Sequence, residues 1–250
     1  MHRFFLPPAH CSSQPLLLTG REAHHALHVL RLQKGDAVTV LDGSGREFRC
    51  QIEGHDRDKV HLSIDETRQH PQLPFQITLL QALPKGKLIE SIVQKATELG
   101  AFRIVPLLSE RVVTRLDGKE AAQKAQKWQQ IAIEALKQCG SPWLTRVEEP
   151  VALTRFLARA EKSDLSLLGS LQPGAKHPRE YFEAFRAQHG QPPKSVFLWI
   201  GPEGDFSASE IGQIQSAGAM PITLGPLVLR TETAALYCLS LVNYELQSPV

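Results

Sequence analysis

The chain has 250 residues, of which 42% are hydrophobic, 22% charged and 6% aromatic, a composition typical of a globular protein with one large domain or two smaller ones. No stretch approaches the ~20 consecutive apolar residues that a membrane span requires, and the first residues lack the pattern of a secretory signal, so we expect a cytoplasmic protein. The four cysteines are scattered without a Cys-x-x-Cys pair. We therefore expect reduced thiols and neither a disulfide framework nor a zinc site.

The net charge of +2 conceals an uneven distribution. Residues 1–70 carry nine Lys/Arg and nine Asp/Glu, residues 84–146 carry eleven against six, and residues 147–250 carry eight against eleven. The basic middle region suggests that one face contacts a polyanion. On charge alone, a solvated basic helix face is an equally good explanation.

The N-terminal part of the chain has the pattern of a small β-barrel or sandwich. The predicted elements are a helix over 21–30 and strands over 37–41, 47–52 and 59–64. Two prolines within residues 69–74 disfavour both helix and interior strand. We therefore predict a first domain over 1–70 and a linker over 71–74.

Beyond the linker, over residues 75–250, strands alternate with helices. Strands are predicted over 75–80, 102–107, 165–168, 195–200 and 221–224. Helices are predicted over 88–99, from a capping box at 117–120 to Gly140, and near 151–160, 178–188, 209–217 and 233–246. This alternation predicts an α/β domain with a mostly parallel sheet covered on both faces.

Three loops after predicted strands contain glycine, and ligands of open parallel sheets bind beyond the carboxyl ends of the strands. The loops are Leu168-Gly169-Ser170, residues 200–207 and Leu224-Gly225-Pro226. Glycines allow close backbone approach to a ligand, although ordinary turns contain them too. Because the chain has neither a P-loop nor a Gly-x-Gly-x-x-Gly motif, the loops suit an adenosyl ligand without phosphate groups. Its apolar walls would come from Leu224, Leu227 and Leu229.

Two charged residues stand directly before the last predicted helix. Thr231 is a candidate cap of that helix, which would make Glu232 a first-turn residue with a favourable dipole contact. Arg230 follows an apolar run and has no capping explanation. The sequence therefore singles out Arg230 as a ligand-facing residue.

Three C-terminal segments carry a family resemblance: Gly201-Pro202-Glu203-Gly204, Leu224-Gly225 and Leu229-Arg230-Thr231-Glu232-Thr233-Ala234. Further matching segments are Arg3-Phe4-Phe5, His28-Val29-Leu30-Arg31, Gly35-Asp36, Lys85-Gly86, Lys95-Ala96-Thr97-Glu98-Leu99-Gly100, Pro106, Glu110-Arg111, Lys127-Trp128 and Glu134-Ala135 with Gln138. Together they resemble the pattern of the bacterial ribosomal small subunit methyltransferase E family over nearly the whole chain. Two positions depart from it: Asp205 replaces a usual second glycine, and an arginine usual near Ser141 is missing.

The resemblance implies an N-terminal PUA-like β-barrel that binds RNA and a C-terminal SPOUT domain with a deep trefoil knot. It also implies a homodimer with its active site near the subunit interface. The expected activity is S-adenosylmethionine-dependent methylation, without a metal, of N3 of a uridine in the decoding region of 16S rRNA in the small ribosomal subunit. The implied cofactor-binding residues are Leu168, Gly169, Ile200, Gly201, Pro202, Glu203, Gly204, Leu224, Gly225, Leu227, Leu229 and Thr233.

Methylation at N3 of uridine requires that the weakly acidic imide proton leave the ring. Negative charge then spreads onto the ring oxygens, and a nearby cation lowers the barrier. We assign this stabilising role to Arg230 and the role of proton acceptor to Glu232, with Glu203 as the second candidate. The predicted RNA contacts are Arg3, Arg31, Lys85, Lys87, Arg111, Arg115 and Lys127, which would make binding salt-dependent.

Two other functions remain open on the sequence. A non-catalytic RNA-binding protein of the same fold would use its C-terminal loops only for dimerisation, and a small-molecule α/β enzyme would use the same glycine loops without RNA. A metal site on His24, His25 and His28 is disfavoured because no carboxylate or cysteine of ligand type stands nearby.

Overall fold

The protein is described by a computed structural model that covers residues 2–12, 15–111 and 118–247. It divides into two compact units, Met1–Gln72 with Ile133–Leu144, and Leu73–Ala132 with Thr145–Val250. The sequence-based boundary at 71–74 did not anticipate the return of Ile133–Leu144 to the first unit. This segment is the end of a long helix and the turn after it, and nothing in its local pattern indicates which unit it joins.

The first unit is built on a five-stranded sheet. Its strands are β1 (His2–Phe5), β2 (Leu16–Thr19), β3 (Ala37–Leu41), β4 (Arg46–His55) and β5 (Lys59–Gln69). Their order in the sheet is β1-β3-β4-β5-β2, with β1 parallel to β3 and the other neighbours antiparallel. Two register shifts interrupt the pairing of β4 with β5, and such bulges increase the bend and twist of long strands.

One face of this sheet is buried, because side chains along a strand alternate between its two faces. Val38, Val40, Val60 and Leu62 are fully buried in its core. The predicted helix over 21–30 is present, but only Gly20–His24 (α1) is α-helical, and His25–Val29 continues as a π-helix. The wider winding is visible in the bond from the Leu30 amide to the His25 carbonyl, 2.9 Å, and π-turns of this kind are frequent at functional sites.

The second unit is built on a parallel sheet. Its strands are β6 (Gln76–Ala82), β7 (Arg103–Leu108), β8 (Arg146–Val147), β9 (Val151–Ala152), β10 (Leu165–Gly169), β11 (Ser195–Ile200) and β12 (Met220–Ile222). The order is β12-β10-β11-β6-β7-β8, with β9 also on β7, and all pairings are parallel. The predicted α/β class with a parallel sheet is therefore confirmed.

Helices connect these strands. They are α2 (Leu88–Glu98), α3 (Gly118–Cys139), α4 (Leu153–Leu157), α5 (Pro178–His189), α6 (Ala208–Ser216) and α7 (Thr231–Gln247). The helix predicted near 151–160 is wrong in its first part, because Val151 pairs with Leu107 as a strand and only five helical residues follow. Ala160, at φ +51°, stands just beyond that short helix. The capping box at 117–120 begins outside the residues that the structure describes.

The sheet topology decides where a ligand site forms. β11 lies between β6 and β10 although β6 is far from it in sequence, and β12 lies beyond β10. Because the strands are parallel, β6, β10, β11 and β12 end at the same edge. Across the three described ranges, no helix has the length and apolarity needed to cross a membrane.

Candidate functional site

A cavity of about 630 Å³ lies at the carboxyl edge of the parallel sheet, within the usual size range of small-molecule sites, ~300–1,000 Å³. The cavity is lined by three segments that begin at or just after the ends of β10, β11 and β12. They are residues 169–175, residues 200–203 with Asp205, and residues 223–231, and Ala234 on α7 completes the lining. The three glycine-containing loops singled out by the sequence therefore meet in one site, because their strands are neighbours in the sheet.

Most of the predicted cofactor-binding residues line this cavity. They are Gly169, Ile200, Gly201, Pro202, Glu203, Leu224, Gly225, Leu227 and Leu229. Three others do not line it: Leu168 is buried in the sheet core, Thr233 is exposed on the first turn of α7, and the carbonyl of Gly204 accepts a hydrogen bond from Arg111.

Sequence reasoning missed most of the loop 170–175. Its sequence Ser-Leu-Gln-Pro-Gly-Ala contains a Pro-Gly turn signal, but no charged residue drew attention to it. The Lys176 amide donates to the Pro221 carbonyl at 3.2 Å, and the Thr223 amide donates to the Lys176 carbonyl at 2.9 Å. These bonds fix the end of the loop beside β12 and so complete one wall of the cavity.

The loop after β11 is a tight turn that packs against itself. The Asp205 amide donates to the Pro202 carbonyl at 2.9 Å. A Cβ at Gly201 would stand 2.8 Å from Oδ1 and 3.2 Å from Cα of Asp205, so a larger residue here would force the Asp205 side chain and the turn to shift. Asp205 itself has φ +60°, a conformation that glycine adopts freely and aspartate tolerates better than most residues. The departure from the family's glycine is therefore compatible with the turn.

The cavity wall is charged. Among its lining residues, Arg230 is the cation, and Glu203 and Asp205 supply two carboxylates. Oε1 of Glu203 accepts a hydrogen bond from the Lys85 amide at 2.9 Å, and Oδ1 of Asp205 accepts one from the Phe206 amide at 2.8 Å. Two fixed carboxylates beside one cation favour a ligand that itself carries positive charge over a polyphosphate.

The start of α7 differs from the expectation that Thr231 caps this helix. The carbonyl of Arg230 accepts the first helical hydrogen bond, from the Ala234 amide at 2.8 Å. The Thr231 hydroxyl instead donates to the Gly201 carbonyl at 2.6 Å. The capping hypothesis was therefore wrong, because α7 begins at Thr231 itself and the Thr231 oxygen accepts from Nε2 of Gln81 instead of from an amide of the first turn.

The two predicted catalytic residues lie in different surroundings. Arg230 is exposed and lines the cavity, and within the described part of the chain its side chain has no hydrogen bond or ion pair. Glu232 does not line the cavity; its Oε2 is buried and has no hydrogen-bond partner among the described residues. A buried carboxylate oxygen left without a donor is costly.

The predicted RNA contacts of the second unit are spread over three elements. Lys85 and Lys87 are exposed just before α2. Arg111 follows β7 and contacts the loop 200–207 by donating a hydrogen bond to the Gly204 carbonyl. Lys127 on α3 pairs with Glu90 at 2.6 Å. The remaining predicted contact of this region, residue 115, is an arginine that falls outside the described ranges.

In the first unit, the predicted RNA contacts have contrasting environments. Arg31 is exposed at φ +54° directly after the π-helix. Arg3 donates to the carbonyls of Lys137 and Gln138 at 3.3 and 3.1 Å, where a cation stabilises the C-terminal end of α3. Arg3 therefore has a structural role that the sequence pattern did not indicate.

The histidines and cysteines show no metal-site geometry. The rings of His24 and His28 contact each other, with centroids 4.8 Å apart, and the described ranges contain no group of three or more ligand-type side chains that could hold a metal ion. Burial raises the pKa of Cys11 to about 11 and that of Cys50 and Cys238 to about 12. These three thiols are therefore protonated and unreactive at neutral pH.

Two family models match consecutive parts of the chain. A family model of the RNA methyltransferase PUA domain matches residues 18–65, and one of the RNA methyltransferase domain matches residues 71–243. A curated relative, ribosomal RNA small subunit methyltransferase E of Bacillus subtilis (strain 168), is 34% identical over 231 residues, which cover 91% of this chain and 89% of the relative.

Solved structures give the same result. A methyltransferase from Legionella pneumophila in complex with bound cofactor SAM is 36% identical, has a TM-score of 0.85 and aligns over 97% of this chain and 96% of its own. A ribosomal RNA small subunit methyltransferase E from Neisseria gonorrhoeae bound to S-adenosyl methionine is 28% identical, has a TM-score of 0.82 and aligns over the same shares, 97% and 96%.

The resemblance inferred from the glycine and arginine motifs is thus confirmed, and so is the pairing of a PUA domain with an α/β methyltransferase domain. One family model matches well over half of the chain, and a relative above 30% identity aligns over most of both chains. The chain therefore belongs to the ribosomal RNA small subunit methyltransferase E family.

Proposed function

We propose that this protein methylates N3 of a specific uridine in the decoding region of 16S rRNA, with S-adenosylmethionine as the methyl donor. The observation that carries the proposal is the cavity in which three glycine loops meet beside the exposed guanidinium of Arg230. Family membership supports the reaction class, and two similar structures are described with this cofactor bound.

The residues of the cavity fit S-adenosylmethionine. The cavity volume of about 630 Å³ suits a ligand of this size. Leu224, Leu227 and Leu229 offer apolar walls for an adenosyl group. The cofactor has a positive sulfonium and a positive amino group, and the carboxylates of Glu203 and Asp205 lie in the lining. The chemistry requires no metal.

The side chains of this chain would act on the uridine. When bound, the cofactor supplies a methyl group from its sulfonium. Arg230 would stabilise the negative charge that develops on the ring oxygens as the N3 proton leaves. Glu232 remains our candidate acceptor of that proton: it does not line the cavity, but it stands two residues after Arg230, and its Oε2 has no donor among the described residues. Glu203 is the weaker candidate, since the Lys85 amide already occupies its Oε1.

RNA binding would use basic residues of both units. In the second unit, Lys85 and Arg111 contact the loop 200–207 through Glu203 and Gly204. Lys87 is exposed two residues after Lys85, and Lys127 is exposed on α3. Arg31 offers an exposed cation after the π-helix of the first unit. Phosphate contacts by such side chains position the RNA and make affinity fall with salt.

We also propose that the protein acts as a homodimer in the cytoplasm and that its C-terminal segment forms a trefoil knot. Exposed apolar side chains support dimerisation: Leu227 and Val228 are 73% and 78% exposed, and Tyr237 is exposed on α7. A surface of this kind is usually covered by a partner. The packing of α7 on α2, β6 and β11 is compatible with a threaded chain end.

Two measurements test the proposal. Calorimetric titration with S-adenosylmethionine should show binding, and the purified protein with small-subunit rRNA or assembled small subunits should produce a uridine methylated at N3 in nuclease digests analysed by mass spectrometry. Absence of cofactor binding at high micromolar concentration would reject the enzyme in favour of a non-catalytic RNA-binding protein. Catalytic turnover of a small-molecule substrate in the absence of RNA would instead indicate a small-molecule enzyme.

A further inference from the structure

A buried hydrogen-bond chain joins three segments behind the cavity. Gln81, at the end of β6, has no exposed surface, and its Nε2 donates to the Ala82 carbonyl at 2.9 Å and to Oγ1 of Thr231 at 3.1 Å. Thr231 is 4% exposed, and its Oγ1 in turn donates to the Gly201 carbonyl at 2.6 Å. The chain thus connects β6, the start of α7 and the loop after β11.

The Gly201 carbonyl determines the direction of each hydrogen bond in this series. The Gly201 carbonyl can only accept, so the single hydroxyl proton of Thr231 points to it. The hydroxyl must then accept from Gln81, and both protons of the Gln81 amide group are used, one on Thr231 and one on the Ala82 carbonyl. A flipped amide would place its oxygen against that carbonyl. The site therefore requires an amide at residue 81 and a hydroxyl at residue 231.

The two ends of this chain are parts of the proposed site. Gly201 lines the cavity, and Thr231 directly follows Arg230, whose carbonyl begins α7. A bond between the Thr231 side chain and the Gly201 carbonyl therefore holds the cofactor loop at a set distance from the backbone that carries Arg230. A shift of about 1 Å between a bound reactant and a catalytic group can lower a rate ~100-fold.

We propose that Gln81 and Thr231 are positioning residues, which orient the Gly201 loop relative to Arg230 through this hydrogen-bond chain. The inference rests on the proposed methyltransferase function. Thr231 also lines the cavity, but the role assigned to the two residues acts through the hydrogen-bond chain and needs no contact of either with cofactor or RNA. Their effect is to keep the loop and the arginine in one arrangement before either ligand binds. Oε1 of Gln81 is buried and has no partner among the described residues, so the amide group acts here through its two donors.

The test compares Thr231→Val, which removes the hydroxyl at nearly constant volume, with Thr231→Ser, which keeps it. Thr97→Val is the matched control, because Thr97 is 2% exposed and its hydroxyl also donates to a carbonyl, that of Val93 at 2.9 Å, in the same unit. We expect Thr231→Val to lower kcat at saturating cofactor by ten- to a hundredfold. Thr231→Ser should stay within about threefold of the wild type, and Thr97→Val should leave kcat unchanged.

A second measurement, amide hydrogen exchange, does not depend on enzymatic activity. Amide hydrogen exchange of residues 201–207, without ligands, should become at least several-fold faster in Thr231→Val and in Gln81→Met, and no faster still when the two changes are combined. The proposal would be overturned if the amides of residues 201–207 exchanged at equal rates in Thr231→Val and Thr97→Val. It would also be overturned if Thr231→Ser lowered kcat as much as Thr231→Val. If the wild type neither binds S-adenosylmethionine nor methylates RNA, the proposed function fails, and the exchange data still decide whether the chain orients the loop.

Discussion

The backbone amide of Lys85 donates a hydrogen bond to Oε1 of Glu203 at 2.9 Å. This contact joins the loop after β6 to the cavity loop after β11, and Arg111 adds a second link through the Gly204 carbonyl. Two of the basic residues proposed to hold RNA are therefore attached to the loop proposed to hold the cofactor. Glu203 serves in this arrangement as an acceptor that orders the loop.

Glu203→Gln is expected to retain methyl transfer within about threefold, because the amide oxygen still accepts from Lys85. Glu203→Ala should weaken cofactor binding by about ten- to a hundredfold, since a hydrogen bond to a charged group contributes ~1.5–3 kcal/mol. Calorimetry and single-turnover transfer measure the two effects. Loss of transfer in Glu203→Gln with intact cofactor binding would instead identify Glu203 as the proton acceptor.

Arg230→Ala is expected to lower kcat by ~100- to 1,000-fold, the usual cost of removing one preorganised donor from a developing oxyanion. Cofactor affinity should change little, because the three loops that line the cavity remain. Arg230→Lys keeps the charge and should recover part of the rate, although it lacks the guanidinium's planar donors. Full transfer by the alanine variant would show that Arg230 has no catalytic role.

Gly201→Ala is expected to weaken cofactor binding about tenfold or more, which corresponds to ~1.4 kcal/mol of strain in the turn. The added Cβ would lie 2.8 Å from Oδ1 and 3.2 Å from Cα of Asp205, so the turn must open. Gly212→Ala is the control, because a Cβ at this position of α6 meets no atom within 4 Å, and alanine in a helix interior stabilises by ~0.5–1 kcal/mol relative to glycine. Titration and thermal melting of both variants check the contrast; equal affinity in the two would contradict the close packing of the turn.

Substitutions at Asp205 test which residues the left-handed backbone conformation of this turn accepts. With φ at +60°, Asp205→Ala should lower the free energy of unfolding by about 1 kcal/mol. Asp205→Gly and Asp205→Asn should be more stable than the alanine variant, because glycine and asparagine adopt this conformation more readily. Denaturant unfolding of the three variants gives the ranking, and an alanine variant as stable as the glycine variant would disprove it.

From the surroundings of Asp42 in the first unit, we expect the free energy of unfolding to fall in acid. Its side chain accepts hydrogen bonds from the Ser44 amide and hydroxyl, both at 2.7 Å, and from the Arg46 amide and Nε at 3.0 and 2.6 Å. Burial acts to raise the pKa of Asp42, but the bonds from Ser44 and Arg46 outweigh it and hold the pKa below its ordinary value. The folded state therefore binds this proton less readily than the unfolded state does.

The sign of the effect follows from linkage. Stability from Asp42 is fully present above the unfolded pKa of about 3.9 and is lost as the pH falls through the lowered folded value. Asp42→Asn should cost about 2 kcal/mol at pH 7 and flatten the decline below pH 4. Asp56→Asn is the matched control, because the Asp56 side chain is 74% exposed and its pair with His61 contributes little. Unfolding curves between pH 2 and 7 distinguish the two variants.

Local patterns predicted most elements of this fold, because periodicity and turn residues act over a few neighbouring positions. β3 and β11 have the predicted bounds, and α2, α5 and α6 differ from prediction by one or two residues. The short strands β8 and β9 were not predicted, since two residues provide no alternation and pair only because β7 lies beside them. The π-helix was missed for a related reason, because its winding differs from an α-helix only in backbone geometry.

The sequence by itself determined the composition of the site: the three glycine loops, the apolar walls and Arg230 are all visible as local motifs. The tertiary structure decided which of these residues meet and which bonds they form. Strand order brings the ends of β10, β11 and β12 together, it gives the Thr231 hydroxyl an acceptor on the Gly201 loop, and it commits Glu203 to the Lys85 amide. The physical reason is that these two hydrogen bonds join residues 30 and 118 positions apart and form only in the closed fold, whereas turn chemistry and hydrophobic periodicity act between neighbours.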